Sequence, residues 1–348
     1  MENEVLFKLR YRWYRVTHWE FWPMWTIYLP CIFYYIWISI KCRSVGFFKA
    51  VNPSMIHGGM TLEDKNYVNQ LIPQKFRAKS FFVKENIEAE NVLDIIKQNH
   101  LSYPVILKPN NGCRGRNVEI IENETHLHSY LKIFGNEDLL LEEYVDLRKE
   151  IGVFYIRFPN SEKGFISGVV EKKGVEVVGD GKQTLAELIK YNFRYHKFYP
   201  QVFQNTTFNE NYIPEKDERV LLSSIGNHAR GATFYDSSYK ISDKLEDLFN
   251  EICSSMDGFY YGRFDVKFNS WRDLENGENF KIIELNGAAS EPTFIYDPEN
   301  FYLFAITEIM RHWDYMYQIA KINKEKGHRF TGREECWSLF KEYNPFSI

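Results

Sequence analysis

The sequence predicts an α+β fold of two or three subdomains behind a short aromatic-rich N-terminal segment, and three observations predict it. At 348 residues the chain exceeds one ordinary domain and falls short of three. Between residues 80 and 145, short strand-like runs alternate with amphipathic helical ones. Beyond residue 150 the pattern changes to pairs of longer strands joined by polar turns, the pattern of antiparallel hairpins. The expected division is residues 1–62, the aromatic-rich segment; 63–145, a first lobe; 146–300, a second lobe; and 301–348, a helical extension.

Aromatic residues make up 17% of the chain and crowd its first fifty positions. From Phe21 to Ile40 the run FWPMWTIYLPCIFYYIWISI holds twenty residues without a charge, with Lys8, Arg10, Arg12 and Arg15 before it and Lys41 and Arg43 after it. Its length suffices for a bilayer. Against a simple span, Pro23 and Pro30 interrupt a helix hydrogen-bond ladder, and basic residues at both ends give no orientation. Tryptophan and tyrosine favour the headgroup region. The run reads as an element lying on a membrane surface or re-entering it through residues 21–40. An aromatic core of a small N-terminal subdomain, or a homodimer interface, accounts for the same composition.

Turn formers Asn52, Pro53, Gly58 and Gly59 make residues 47–65 a loop-rich lead-in, with a helix following to about Gln74. SFFV at 80–83 is a strand, and Val92, Ile95 and Ile96 place a helix over 89–99. YPVILKP at 103–109 is a buried strand followed by a glycine-bearing loop over 110–117; VEII is a strand, 126–134 a short helix, and LLLEEYV at 139–145 another strand. EIGVFYIRF and FISGVVEKK flank the turn PNSEKG, and Asp180 with Gly181 closes a hairpin-like turn. Thr184 and Glu187 form a capping box opening a helix, and 196–219 is a polar loop excursion. Leu245, Leu248, Phe249 and Ile252 mark a helix, FYYGRFDVKF and FKIIELN are two strands, and the rest from Phe301 is helical.

A formal net charge of −4 provides no basic field for nucleic acid. The five cysteines form no CxxC pair and their number is odd, which fits reduced thiols in the cytoplasm. A basic, aromatic stretch with no small-residue cleavage site after the apolar run is unlike a signal peptide.

The strongest chemical signal is the last strand pair. Alternation puts Arg263 and Asp265 on one face, and Glu284 with Asn286 on one face, with Ile283 and Leu285 turned to the core. Asp on one strand and Glu plus Asn on the next make an oxygen-rich site for a hard cation such as Mg2+, with Arg263 beside it for phosphate oxygens. Carboxylates in otherwise apolar strands are costly unless they coordinate or pair; a solvated strand edge is the alternative. The second signal is Lys108 leaving a buried strand into NNGCRGRN, which offers a point charge and backbone N–H groups to phosphates, although no Walker loop or full GxGxxG is present.

Together these residues resemble the ATP-grasp superfamily over about Lys65 to Asp297, in particular D-alanine:D-alanine ligases and cyanophycin synthetases. The resemblance implies an ATP-grasp fold in which two α/β subdomains clamp ATP. It implies that Lys65 and Lys108 hold the ATP phosphates and that residues 112–116, with Gly112 and Gly115, are a flap over them. Glu142, Tyr144 and Val145 match the hinge that receives adenine, and Glu150 is positioned for the ribose hydroxyls. Asp265, Glu284 and Asn286 match the ligands of two Mg2+ ions, with Mn2+ as an alternative. VVGDGKQTLAELI and GNHARGATFYD are similar to segments of cyanophycin and glutathione synthetases, and favour amide formation. The chain departs from the family where GAASEPTFIYDP follows the metal-binding Asn286, and where the usual leading subdomain is reduced to the aromatic segment.

The activity so implied is activation of a carboxylate as an acyl phosphate and its coupling to an amine, releasing ADP and phosphate, with Arg263 and Arg230 stabilising the tetrahedral oxyanion. The partners would be a small-molecule or lipid-linked carboxylate and an amine, in the cytoplasm or at the inner face of the membrane. An ATP-grasp kinase and a non-catalytic ATP sensor or scaffold are the alternatives.

Overall fold

The computed structural model describes residues 4–61, 64–111, 117–203, 208–223 and 231–342. The chain opens with two helices, α1 (Glu4–Thr17) and α2 (Met24–Cys42). Pro23 sits at the N-cap of α2, where a missing N–H costs nothing, and Pro30 lies inside the helix without ending it. The interruption expected at the prolines is therefore corrected. The Thr26 carbonyl, which a residue-30 N–H would have taken, accepts instead from the Tyr302 hydroxyl at 2.6 Å. Among the described residues no helix is long and apolar enough to cross a membrane. One face of α2 buries Ile27, Cys31, Ile38 and Cys42. The opposite face leaves Trp25, Leu29, Phe33, Ile36, Trp37 and Ile40 exposed.

Helix α3 (Lys65–Leu71) is opened by Asp64, whose carboxylate accepts from the Tyr67 N–H at 2.9 Å. A four-stranded antiparallel sheet follows, built from β1 (Ser80–Val83), α4 (Ala89–Gln98), β2 (Val105–Pro109), β3 (Glu119–Ile121), α5 (Glu124–Phe134) and β4 (Leu139–Glu143), with strand order β1-β4-β2-β3. One of its faces, carrying Val105, Leu107, Leu139 and Leu141, packs on Val92 and Ile96 of α4 and on Leu127 and Tyr130 of α5. Strand alternation turns Lys108 and Glu142 to the other face.

The second sheet is antiparallel, five-stranded, and ordered β11-β10-β5-β6-β9. In chain order come β5 (Lys149–Ile156), β6 (Phe165–Lys173), β7 (Val175–Val178), α6 (Leu185–Lys190), β8 (Arg219–Ser223), β9 (Thr233–Asp236), α7 (Asp243–Ser254), β10 (Tyr261–Phe268), α8 (Trp271–Glu275) and β11 (Phe280–Asn286). Leu245, Leu248, Phe249, Ile252 and Cys253 of α7 pack on Val153, Phe264, Val266 and Leu285. The Thr184–Glu187 capping box opens α6 as the sequence predicts. The hairpin-like closure at Asp180 and Gly181 is corrected: β7 pairs with the distant β8 in a separate two-stranded ribbon.

Two C-terminal helices complete the chain, α9 (Tyr302–Glu325) and α10 (Arg333–Glu342). Met316, Ile319 and Ala320 of α9 and Ile38 of α2 share a core with Phe154, Ile156 and Tyr261. The aromatic segment covers, with α9, the face of the second sheet opposite α7. A bidentate pair ties it to the region after α6, with Arg194 donating to both Glu20 carboxylate oxygens at 2.8 and 2.9 Å.

Candidate active site

On the α2 and α9 side of the second sheet, cross-strand register gathers a polar cluster. Arg263 faces Asn286 and Asp265 faces Glu284 across β10 and β11, while Glu150 of β5 faces Lys172 of β6. A β-bulge after Asp265 pairs Val266 with Ile282 and leaves Ile283 as the extra residue. The bulge corrects the expected core placement of Ile283, which is half-buried; Ile282 and Leu285 are buried in its place, and Glu284 and Asn286 stay on the polar face.

Asp265, 3% exposed, accepts from Lys172 Nζ at 2.9 Å and from Arg263 Nε at 2.9 Å. Lys172 Nζ also reaches Glu150 Oε1 at 2.9 Å. Burial opposes the lysine's charge, yet the Asp265 and Glu150 carboxylates hold its pKa above the ordinary value. Glu284 Oε1 receives Lys65 Nζ at 2.5 Å. Burial opposes its ionisation too, and the charges of Lys65 and Lys108 overcome that and hold its carboxyl well below the usual range. Lys65 joins the two sheets here: its N–H is donated to the Asn110 carbonyl just past β2 at 3.2 Å while its ammonium holds Glu284 on β11.

Lys108 Nζ itself pairs with Glu142 Oε2 at 2.8 Å, and Asn69 Nδ2 donates to Glu142 Oε1 at 3.0 Å. The Val145 carbonyl accepts from Lys267 Nζ at 3.2 Å, and the same ammonium lies 5.3 Å from the centre of the Tyr144 ring. The structure therefore brings together Lys65, Lys108, Glu142, Glu150, Arg263, Asp265, Glu284 and Asn286, with Tyr144 and Val145 at the edge beside Lys267. Gly112, Gly115 and Arg230 lie outside the described residues.

Sequence reasoning missed Lys172, Asn69 and Lys267. Lys172 carried a usable signal, a lysine on the same strand face as Val170 and directly opposite Glu150. With it the cluster holds the cations Lys65, Lys108, Lys172 and Arg263 against the carboxylates Glu142, Glu150, Asp265 and Glu284, so its charge is balanced.

Room for the cluster comes from Gly152 on β5. A Cβ there would stand 2.8 Å from Val170 Cγ1, 3.1 Å from Arg263 Cδ and 3.3 Å from Asp265 Oδ1. Gly152→Ala should displace Arg263 or Val170, at a cost of about 1–3 kcal/mol. Urea unfolding would show that loss, and an unchanged midpoint would mean that the cluster has slack.

No family model matches the sequence, and no curated protein matches it. Among solved structures, the chain is similar to a bifunctional glutathione synthetase from Pasteurella multocida (15% identity over 75% of this chain and 38% of that one, TM-score 0.42). It is similar to D-alanine–D-alanine ligase from Bacillus anthracis (13%, 76% and 68%, TM-score 0.42) and to VanG D-Ala:D-Ser ligase from Enterococcus faecalis (13%, 80% and 64%, TM-score 0.43). The chain thus spans well under half of the glutathione synthetase. With TM-scores below 0.5 these are likenesses in chain course, and the chemistry of the site rests on its own geometry.

For a metal ion the donor chemistry is the test. Among the described residues no three His, Cys, Asp or Glu side chains gather as a metal site. Asp265 and Glu284 supply two carboxylates facing each other across the strands, and the half-buried Asn286 supplies an amide oxygen. Hard oxygen donors so few in number suit Mg2+, which takes its remaining ligands from phosphates and water.

Proposed function

We propose that the chain is an ATP-grasp ligase that activates a carboxylate as an acyl phosphate and couples it to an amine, with residues 63–145 and 146–300 as its two lobes. One observation carries the reading: Lys65, whose N–H is donated to the Asn110 carbonyl just past Lys108 and β2 of the first lobe, reaches Glu284 with its ammonium, beside Asp265 and Asn286 on the adjoining strands. A site that only scaffolds partners has no need of that convergence.

Held by Asp265, Glu284 and Asn286, magnesium would neutralise the phosphate oxygens of ATP. Lys65 and Lys108 bind the same phosphates as point charges, exchanging carboxylate partners for phosphate oxygens. Glu142, Tyr144 and Val145 receive adenine, and Glu150 faces the ribose. Lys172 holds Asp265 and Glu150 in place. Arg263, oriented by Asp265, stabilises the oxyanion formed when the amine adds to the acyl phosphate, with Arg230 as its second donor. ADP and phosphate leave. With ATP labelled in its terminal phosphate, a ligase releases the label as inorganic phosphate, a kinase leaves it on an organic product, and a sensor binds ATP without moving it.

We also place the chain at the cytoplasmic face of a membrane. Along α2 the exposed residues Trp25, Leu29, Phe33, Ile36, Trp37 and Ile40 recur at helical spacing; Phe33 and Ile40 are 72% and 70% exposed. The exposed Lys8, Arg10, Arg12, Lys41 and Arg43 flank them, which is the complement of an anionic lipid surface. Phe33→Glu should lower co-sedimentation with phosphatidylglycerol vesicles by about tenfold or more. A wild-type chain that ignores vesicles but becomes monomeric on Phe33→Glu would instead make this face a homodimer interface.

A further inference from the structure

Beside the strand end that carries Asn286, between α2, α9 and the loop 288–292, lies a cavity of about 480 Å3. Its walls are aromatic and apolar, with Tyr28, Tyr35, Met60, Trp313 and Met316 among them, and among the described residues one carboxylate, Glu291, lines it. The Tyr28 hydroxyl donates to Glu291 Oε1 and the Tyr296 hydroxyl to Oε2. Among the described residues no lysine or arginine side chain pairs with that carboxylate. Burial accordingly pushes its carboxyl up to about 7. The histidine in the wall, His312, is kept neutral by burial, which drives its pKa down to about 3. The cavity is joined to the site already described through one guanidinium. Arg263 donates from Nη1 to the Glu291 backbone carbonyl at 3.4 Å and from Nε to Asp265 at 2.9 Å.

A lone carboxylate among aromatic walls is costly without a cation, and its charge repels the carboxylate end of any substrate. Tyrosine and tryptophan faces attract an ammonium group and also pack an apolar body. Resting on the ligase reading, we propose that this cavity is the amine subsite, that it takes a primary amine with an apolar body, and that Glu291 receives the ammonium group. In the coupling step one ammonium proton passes to a Glu291 carboxylate oxygen, which frees the nitrogen lone pair. That pair forms the C–N bond at the acyl phosphate carbonyl carbon. The C–O bond to phosphate breaks, phosphate leaves with its electron pair, and it takes the second proton from nitrogen. The helix that lines the cavity with Tyr28 and Tyr35 turns Trp25, Leu29 and Phe33 outward, so an amine dissolved in a lipid surface has a short way in.

The test uses octylamine as probe, titrated calorimetrically into the full chain without nucleotide, beside octanoate and glycine. The wild type should bind octylamine and neither of the others, and Glu291→Gln should weaken octylamine by about thirtyfold or more. Octanoate binding as tightly as octylamine, or an unchanged affinity in Glu291→Gln, overturns the proposal, and the octanoate comparison needs no variant to fold. ATP-dependent hydroxamate formation by the wild type reads the ligase chemistry separately. Hydroxamate without octylamine binding removes this subsite alone. Octylamine binding that depends on Glu291, without hydroxamate, supports Glu291 as the ammonium site of the cavity and removes the ligase reading together with the coupling step.

Discussion

Glu284→Ala should reduce ADP formation by at least about 10^3-fold while leaving the protein folded. The expectation follows from three things that Glu284 does at once. It stands opposite Asp265 in the β10–β11 register and so supplies one of two carboxylates on adjacent strands. It holds Lys65 at 2.5 Å, fixing the lead-in helix against the second sheet. Against burial, the charge of Lys65 first and then that of Lys108 hold its carboxyl well below the ordinary range. Folding should survive because Lys65 keeps a route to water, with its side chain 15% exposed. Melting temperature and ADP release, measured on the same preparation, separate the two effects. Turnover retained within tenfold would remove Glu284 from the metal-binding role.

Lys172→Met should cost about 3–5 kcal/mol of stability, the largest structural effect expected of one substitution in the cluster. Methionine keeps most of the aliphatic stem and deletes the charge. Glu150 then loses its partner in a site where water reaches it poorly, and among the described residues Asp265 retains Arg263 as its one cation. Removing one member of a buried pair costs far more than the pair contributes, because the remaining charge stays desolvated. Adding Glu150→Gln should restore part of the loss, and the non-additivity in urea unfolding measures the coupling. Two single effects that simply sum would show that Lys172 and Glu150 are independent.

How much of this was legible in the sequence depends on whether neighbours in the chain or neighbours in space decide. Lys108, Asp265 and Glu284 were legible because a charged residue inside an apolar strand is costly wherever the strand goes. The helix over 243–254 and the capping box at Thr184 were legible because their signals are local. Ile283 was misplaced because a bulge breaks the two-residue period, and nothing in FKIIELN announces which residue is extra. The β7–β8 ribbon was missed because its pairing is long-range, across the loop excursion. Pro30 was over-weighted because the hydroxyl that satisfies the freed Thr26 carbonyl belongs to Tyr302, far along the chain. Glu291 was invisible as a site residue for the same reason, since its aromatic surroundings come from α2 and α9 at opposite ends of the sequence.

The covering of the second sheet by the N-terminal segment bears on function as well as fold. An aromatic helix that packs one face onto α9 and shows the other to solvent places the proposed amine cavity beside the proposed lipid-binding face. The apolar amine and the membrane seating proposed above would both rest on that one helix, and vesicle binding and amine binding test them separately.

The most direct test of the central claim is ATP-dependent hydroxamate formation, read by mass spectrometry on combined water-soluble and lipid extracts, with Glu284→Ala as control. The account predicts a hydroxamate that needs both ATP and the intact protein, because hydroxylamine traps an acyl phosphate and the mass identifies the acid. ADP released with no hydroxamate from any extract would contradict it and point to phosphorylation of a hydroxyl.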